Sequence, residues 1–208
     1  DISNNLGEQF AKIFESFGIK KSSKILELGC GSGGILFCLY CKGYKNISGY
    51  DLNENEIDFG KKFIKKLEVK DIYKIKKKDL KNKNIIILSN VLEHLTKPLE
   101  FMKLISSCMN KQLLFVDIPI LDLSHLYADA NLKKFFNISH VSYFSIMSFE
   151  NIAKLSGLEI KNVIPKYASA TFILKKSTRK NNKKFSNSYN LSLFSINNSN
   201  IINTNSKK

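Results

Sequence analysis

Gly29, Gly31 and Gly33 follow the short apolar run Lys24 to Leu28, and an acid, Glu27, lies inside that run. Glycines at alternate positions let a chain turn sharply from strand to helix and let a ligand approach the backbone closely. Amides exposed at the start of the helix that follows can bond a carboxylate or a phosphate. A second acid, Asp51, ends the next apolar run, Asn46 to Tyr50. An acid about 20 residues beyond a glycine turn is placed to accept from both hydroxyls of a ribose. Together these residues are suited to a nucleoside ligand.

Gly29, Gly31 and Gly34 also satisfy the G-x-G-x-x-G spacing of dinucleotide-binding chains, which makes an NAD-dependent oxidoreductase the remote alternative. Context disfavours it. An amphipathic segment precedes the glycines, whereas the dinucleotide motif usually opens its domain. Glu27 would face a pyrophosphate badly and an ammonium group well.

Further chemistry-bearing side chains come later. Glu93 and His94 are adjacent, and His125, Tyr127, Asp129, His140 and Tyr143 follow the fifth apolar run. In an open α/β sheet that stretch lies past the carboxyl ends of the strands, where such folds build active sites. His140 is the preferred general base, because imidazole titrates near neutral pH, with Tyr143 beside it. His94 has a structural alternative, a bond to a neighbouring loop. Cys38 and Cys41 form a C-x-x-C with no second pair at zinc spacing, and they read as small apolar residues of a buried helix. Asp117 has no clear partner, so no metal is expected. Reduced thiols point to a cytoplasmic protein.

The elements that must position these groups follow from periodicity. Leu6, Phe10, Ile13, Phe14 and Phe17 share a helical face that Gly18 ends. Strands are expected at 24–28, 46–50, 72–76, 85–88 and 113–116, with helices at 35–41, 54–67, from Pro98 to Met109, and at 148–156. Ile85 to Leu88 is the continuous apolar run of a strand buried on both faces. Two last strands, LEIKNVIPKY and ATFILKK, are close enough to pair as a hairpin. The fold class is therefore α/β: an open, mostly parallel seven-stranded sheet with helices on both faces and a C-terminal antiparallel hairpin. Residues 1–176 form the domain, and 177–208, rich in Asn, Ser and Lys, read as a tail or linker. Asp1 rather than Met at the first position reads as a boundary within a longer chain.

A chain of 208 residues, 43% apolar and 25% charged, is ordinary for one globular domain, and no run approaches the roughly 20 apolar residues of a membrane span. The net charge of +15 suggests a polyanion partner. Against that, Arg179 is the only arginine, and arginine is what phosphate and base-edge recognition recruits. Eight basic residues and no acid fall from Lys175 onward.

The sequence resembles the class I S-adenosylmethionine-dependent methyltransferases. ILELGCGSGG is similar to their first motif, GYDLNENEID to the second-strand motif, Asp79-Leu80 to the third, and ILSNVLEHLTKPLEFMKLI to the segment after their fourth strand. HVSYFSIMSFENIAKLSGLEI resembles the late segment of a subgroup that methylates small molecules, sugars included. The likeness covers about residues 6 to 176 and implies a Rossmann-like methyltransferase fold with S-adenosylmethionine as cofactor. It implies that Glu27 and the amides of Gly29, Cys30 and Gly31 hold the methionine part, with Gly33 completing the bend. Asp51 would accept from the ribose and Leu52 lie against the adenine. Asp79 would accept from the adenine amino group, Leu80 would offer an amide, and Ser89 and Asn90 would pass beneath the sulfonium. The acceptor it implies is a small polar molecule, a sugar or sugar nucleotide. RNA methylation and cofactor binding without turnover are the alternatives, and the oligomeric state is open.

Overall fold

A computed structural model of the chain describes residues 2–121, 139–166 and 168–178, with backbone alone for residues 2–4. Helix α1 (Ile2–Ser16) leads into β1 (Ile25–Leu28), α2 (Gly34–Cys41), β2 (Ile47–Asp51), α3 (Glu54–Gly60) and β3 (Leu67–Val69). Then come α4 (Lys77–Leu80), β4 (Ile85–Ser89), α5 (Pro98–Cys108) and β5 (Leu113–Pro119), and finally α6 (Ile146–Leu155), β6 (Leu158–Pro165) and β7 (Ser169–Lys176). The sheet order is β3-β2-β1-β4-β5-β7-β6. β1 to β5 pair in parallel, and β7 runs antiparallel to both β5 and β6. This is the seven-stranded α/β sheet with a terminal hairpin that the sequence predicts.

Alternation along the strands divides the core into two layers. Ile25, Ile85, Ile87 and Phe115 face one side, where α1 and α2 cover them through Phe10, Phe14, Leu36 and Leu39. Leu26, Leu28, Ile86, Leu88, Leu114 and Val116 face the other, with Phe101, Ile105 and Phe149 from α5 and α6. Phe14 stands edge-on to Tyr44 at 5.4 Å and to Phe115 at 5.1 Å, which anchors α1 over the middle of the sheet. Cys38 is buried in α2 as expected, whereas Cys41 is exposed, and all four cysteines are free thiols.

Two expected elements differ. The helix predicted over 54–67 stops at Gly60, which sits so close to the Ser32 carbonyl that no side chain fits there. Leu67 then begins β3, so the strand expected at 72–76 is absent, and Ile72–Lys74 is a single 3-10 turn capped by Asp71. A helical period that continues through Ile64 and Leu67 hides a three-residue edge strand paired on one side only.

Candidate functional site

The order of the strands reverses at β1, because β2 lies on one side of it and β4 on the other, and the carboxyl ends of these strands frame a crevice. Gly29, Gly31 and Gly33 bend the chain there, all three with positive φ (73°, 50° and 81°). The amides of Gly29 and Cys30 both donate to the Tyr50 carbonyl, at 2.7 and 3.1 Å. Gly31 donates to Oδ2 of Asp51 at 2.7 Å, and the Asn53 amide donates to Oδ1 at 2.8 Å. The three amides expected to hold a ligand are thus engaged within the protein, because the β1–β2 ladder continues into the bend. Their contribution is its shape.

What remains for a ligand is acceptor capacity. A carboxylate offers about four lone-pair sites, and Asp51 has committed one on each oxygen. Glu27 is 2% exposed, and its Oε2 has no hydrogen-bond partner among the described residues. Burial pushes its carboxyl well above the ordinary value, and the charge of Asp51 pushes the same way. A buried acid without a partner is costly, and a ligand ammonium group would offset that cost. A Cβ at Gly31 would meet nothing within 4 Å, so the bend opens onto free space. Burial, then the charges of Glu27 and Asp51, keep the Cys30 thiol protonated. The residues of this crevice fit S-adenosylmethionine: Glu27 for the ammonium, Asp51 for the ribose, and Leu52, 70% exposed beside Asp51, for an adenine face.

Across the crevice, the Ser89 hydroxyl ends β4, buried and without a partner among the described residues. Asn90 has φ 51°, a left-handed conformation that asparagine tolerates better than most residues, and its amide donates to the Asp117 carbonyl at 2.9 Å. Asp117 is itself a residue of β5, 1% exposed, its carboxylate bonded to Lys166 at 3.0 Å and to Thr171 at 3.1 Å. Asp117 therefore has partners that the sequence does not reveal.

Asp79 and Leu80 are elsewhere. Asp79 accepts from Lys70 Nζ at 2.6 Å and from the Lys76 amide at 2.8 Å, capping α4. Leu80 is fully buried, and its carbonyl accepts from Gln112 ahead of β5. Both precede β4, and each carboxylate oxygen of Asp79 already accepts one bond within the chain. The acid that does follow β3 is Asp71, two residues past the strand and one past Lys70, whose amide bonds the Asp51 carbonyl. The Asp71 carboxylate accepts from the Tyr73 amide at 2.9 Å and lies 3.6 Å from Lys74 Nζ.

Leu92–His94 forms a 3-10 turn after β4, and the segment 139–145 is clamped onto it. The Glu93 carbonyl accepts from the amides of Val141 and Ser142, both at 3.0 Å, and the Ser142 hydroxyl donates to the Leu95 carbonyl. His94 Nδ1 lies 2.8 Å from the Ser139 carbonyl, the loop contact anticipated for it. His140 stacks edge-on to His94 at 4.9 Å between ring centres, and Tyr143 is 6.0 Å from His140. The Glu93 side chain is 1% exposed, and burial lifts its carboxyl to about 7. Glu93, His94, His140 and Tyr143 thus meet in one polar cluster. His125, Tyr127 and Asp129 lie outside the described residues.

The comparisons with known proteins converge on this fold. A family described as a methyltransferase domain matches residues 3–163. No curated protein sequence matches significantly. The magnesium protoporphyrin IX methyltransferase of Synechocystis PCC 6803, solved with bound S-adenosylhomocysteine, superposes with TM-score 0.66 at 13% identity, over 84% of this chain and 83% of that one. The small RNA methyltransferase HEN1 gives TM-score 0.69 at 20% identity, over 86% of this chain and 26% of that one. Mitomycin 7-O-methyltransferase gives 0.63 at 14% identity over 85% of this chain, which spans about half (54%) of that enzyme's length. With the family match across most of its length, the chain belongs to the class I S-adenosylmethionine-dependent methyltransferases.

Proposed function

We propose that the chain methylates a hydroxyl oxygen of a small polar acceptor, a sugar or sugar nucleotide being the first candidate. The observation that carries this reading is the cluster of Glu93, His94, His140 and Tyr143 after β4, on the strand edge that holds the glycine bend. When bound, S-adenosylmethionine supplies a methyl group already activated on a sulfonium. The protein's own part is then to align the acceptor and exclude water. Glu27 holds the ammonium end of the cofactor and Asp51 its ribose. A sugar hydroxyl is weakly acidic, so a group that takes its proton accelerates transfer. His140 is assigned that proton, with Tyr143 as a second hydrogen-bonding group.

Methylation of RNA is the second reading, favoured by one specific observation. A cleft of about 960 Å³ is lined by Lys20, Lys77, Lys78, Lys81, Lys83 and Lys111 among others, with no acid in its lining. That cleft includes Asn84, Ile85 and Leu113, at the amino ends of β4 and β5 and so at the opposite edge from the crevice. The position supports the small acceptor over RNA.

A screen of sugar nucleotides, quinols and RNA oligonucleotides with isotope-labelled S-adenosylmethionine tests the choice. Label that survives alkali, as a methyl ether on a sugar hydroxyl does, is expected. Label found chiefly in RNA, falling steeply as salt rises, would replace this reading with the second.

A further inference from the structure

We propose that Glu93, His94 and His140 form a binding site for one divalent transition-metal ion. Each residue offers one ligand atom, and those atoms all lie within 4.8 Å of one another. A point equidistant from three atoms 4.8 Å apart is about 2.8 Å from each, against roughly 2.0–2.2 Å for carboxylate and imidazole ligands on a bound ion. At that outer limit each ligand atom would have to move inward by roughly 0.7 Å.

Three independent features fit a ligand set. Glu93 is 1% exposed, and its Oε2 has no hydrogen-bond partner among the described residues, so a buried acceptor is left for something the chain does not supply. A carbonyl oxygen can only accept, so the 2.8 Å contact from His94 Nδ1 to Ser139 puts the proton on Nδ1 and leaves Nε2 as the unprotonated nitrogen. Metal-bound histidines are oriented by this kind of hydrogen bond at the other ring nitrogen. The backbone holding the set is fixed as well, because the Glu93 carbonyl takes the amides of Val141 and Ser142, next to His140.

One carboxylate and two imidazoles, with further positions open to solvent, suit Mn²⁺, Fe²⁺, Co²⁺ or Zn²⁺ better than Mg²⁺, which prefers all-oxygen surroundings. The sequence-based expectation of no metal rested on Asp117, which Lys166 and Thr171 occupy instead. An ion there would take His140 as a ligand, so the base role proposed for His140 belongs to the ion-free chain. The site itself does not depend on the O-methylation reading: a chain that binds the ion and methylates another class of acceptor would fail that reading and keep this one.

Titration of the full chain with MnCl₂, followed by electron paramagnetic resonance and calorimetry, tests it. The expected result is saturable binding of one Mn²⁺ per chain, weaker competition by Mg²⁺, and an electron spin-echo signal from coordinated imidazole nitrogen in the wild-type protein. H140A and E93Q should each weaken binding at least tenfold, while E100Q, an exposed acid on α5, leaves it unchanged. The spin-echo signal needs no variant, so it stands if a substitution unfolds the chain. Absence of saturable binding, or binding without nitrogen coupling, would overturn the assignment.

Discussion

Gly29 and Val91 are in contact so close that a Cβ added at Gly29 would lie 2.5 Å from Val91 Cγ2. This contact joins the bend after β1 to the segment after β4. Its geometry requires glycine twice over, since φ at Gly29 is 73°.

G29A is therefore expected to lose about 1–2 kcal/mol from the left-handed backbone alone, and more from the clash. The double variant G29A/V91A should recover the second part and not the first. Thermal melts of the three proteins check this. Full recovery in the double variant would show that φ at position 29 is not restrictive.

E27Q should raise the stability of the cofactor-free chain and weaken its affinity for S-adenosylmethionine. Removing a buried, unpartnered charge is worth about 1–3 kcal/mol, or roughly 2–4 °C per kcal/mol in a chain of this size. The sign with pH follows from burial, which raises the Glu27 carboxyl above its unfolded value. Below the unfolded pKa both states are protonated and Glu27 costs nothing. As pH rises through the folded pKa the penalty is fully expressed. The advantage of E27Q over the wild type should accordingly grow with pH in denaturation curves, and a constant gap would contradict it.

Asp79 is expected to matter for stability and not for the cofactor. Burial pushes its carboxyl up, but the Lys70 hydrogen bond, the Lys76 amide and the Lys70 charge together outweigh that and leave it below the ordinary value. A lowered acid stabilises above its unfolded pKa, and that contribution is lost as pH falls through the folded pKa. D79N should lower the melting temperature at neutral pH, with a smaller difference in acid, and leave S-adenosylmethionine affinity within about twofold. A tenfold loss of affinity would return Asp79 to the binding site.

The buried pair under β5 gives a further contrast. K166M strands Asp117, whose carboxyl burial already raises despite Lys166, and should cost about 3–5 kcal/mol. D117N/K166M should cost less than K166M alone, because no uncompensated charge remains. Chemical denaturation of both variants decides it; equal losses would show that the pair is not coupled.

The parts of the fold legible in sequence are those with a strong local signal. Ile85 to Leu88 admits little but a strand buried on both faces, and the glycine bend with Asp51 at the next strand end is a local pattern that the fold reproduces. β3 was hidden because Leu67 continues the helical period of α3, and with the strand expected at 72–76 the acid that follows β3, Asp71, went unconsidered. The engagement of the Gly29, Cys30 and Gly31 amides depends on ladder register between β1 and β2, which no single segment encodes. The meeting of His140 with Glu93 and His94 is likewise tertiary: it comes from amides of 141 and 142 docking on a carbonyl far away in the chain.

Calorimetry of the intact chain with S-adenosylmethionine and with NAD, repeated on D51A, tests the central claim most directly. One site for S-adenosylmethionine is expected, at least tenfold weaker in D51A, and no saturable heat with NAD. Saturable NAD binding without S-adenosylmethionine binding, or cofactor affinity untouched by loss of Asp51, would contradict it.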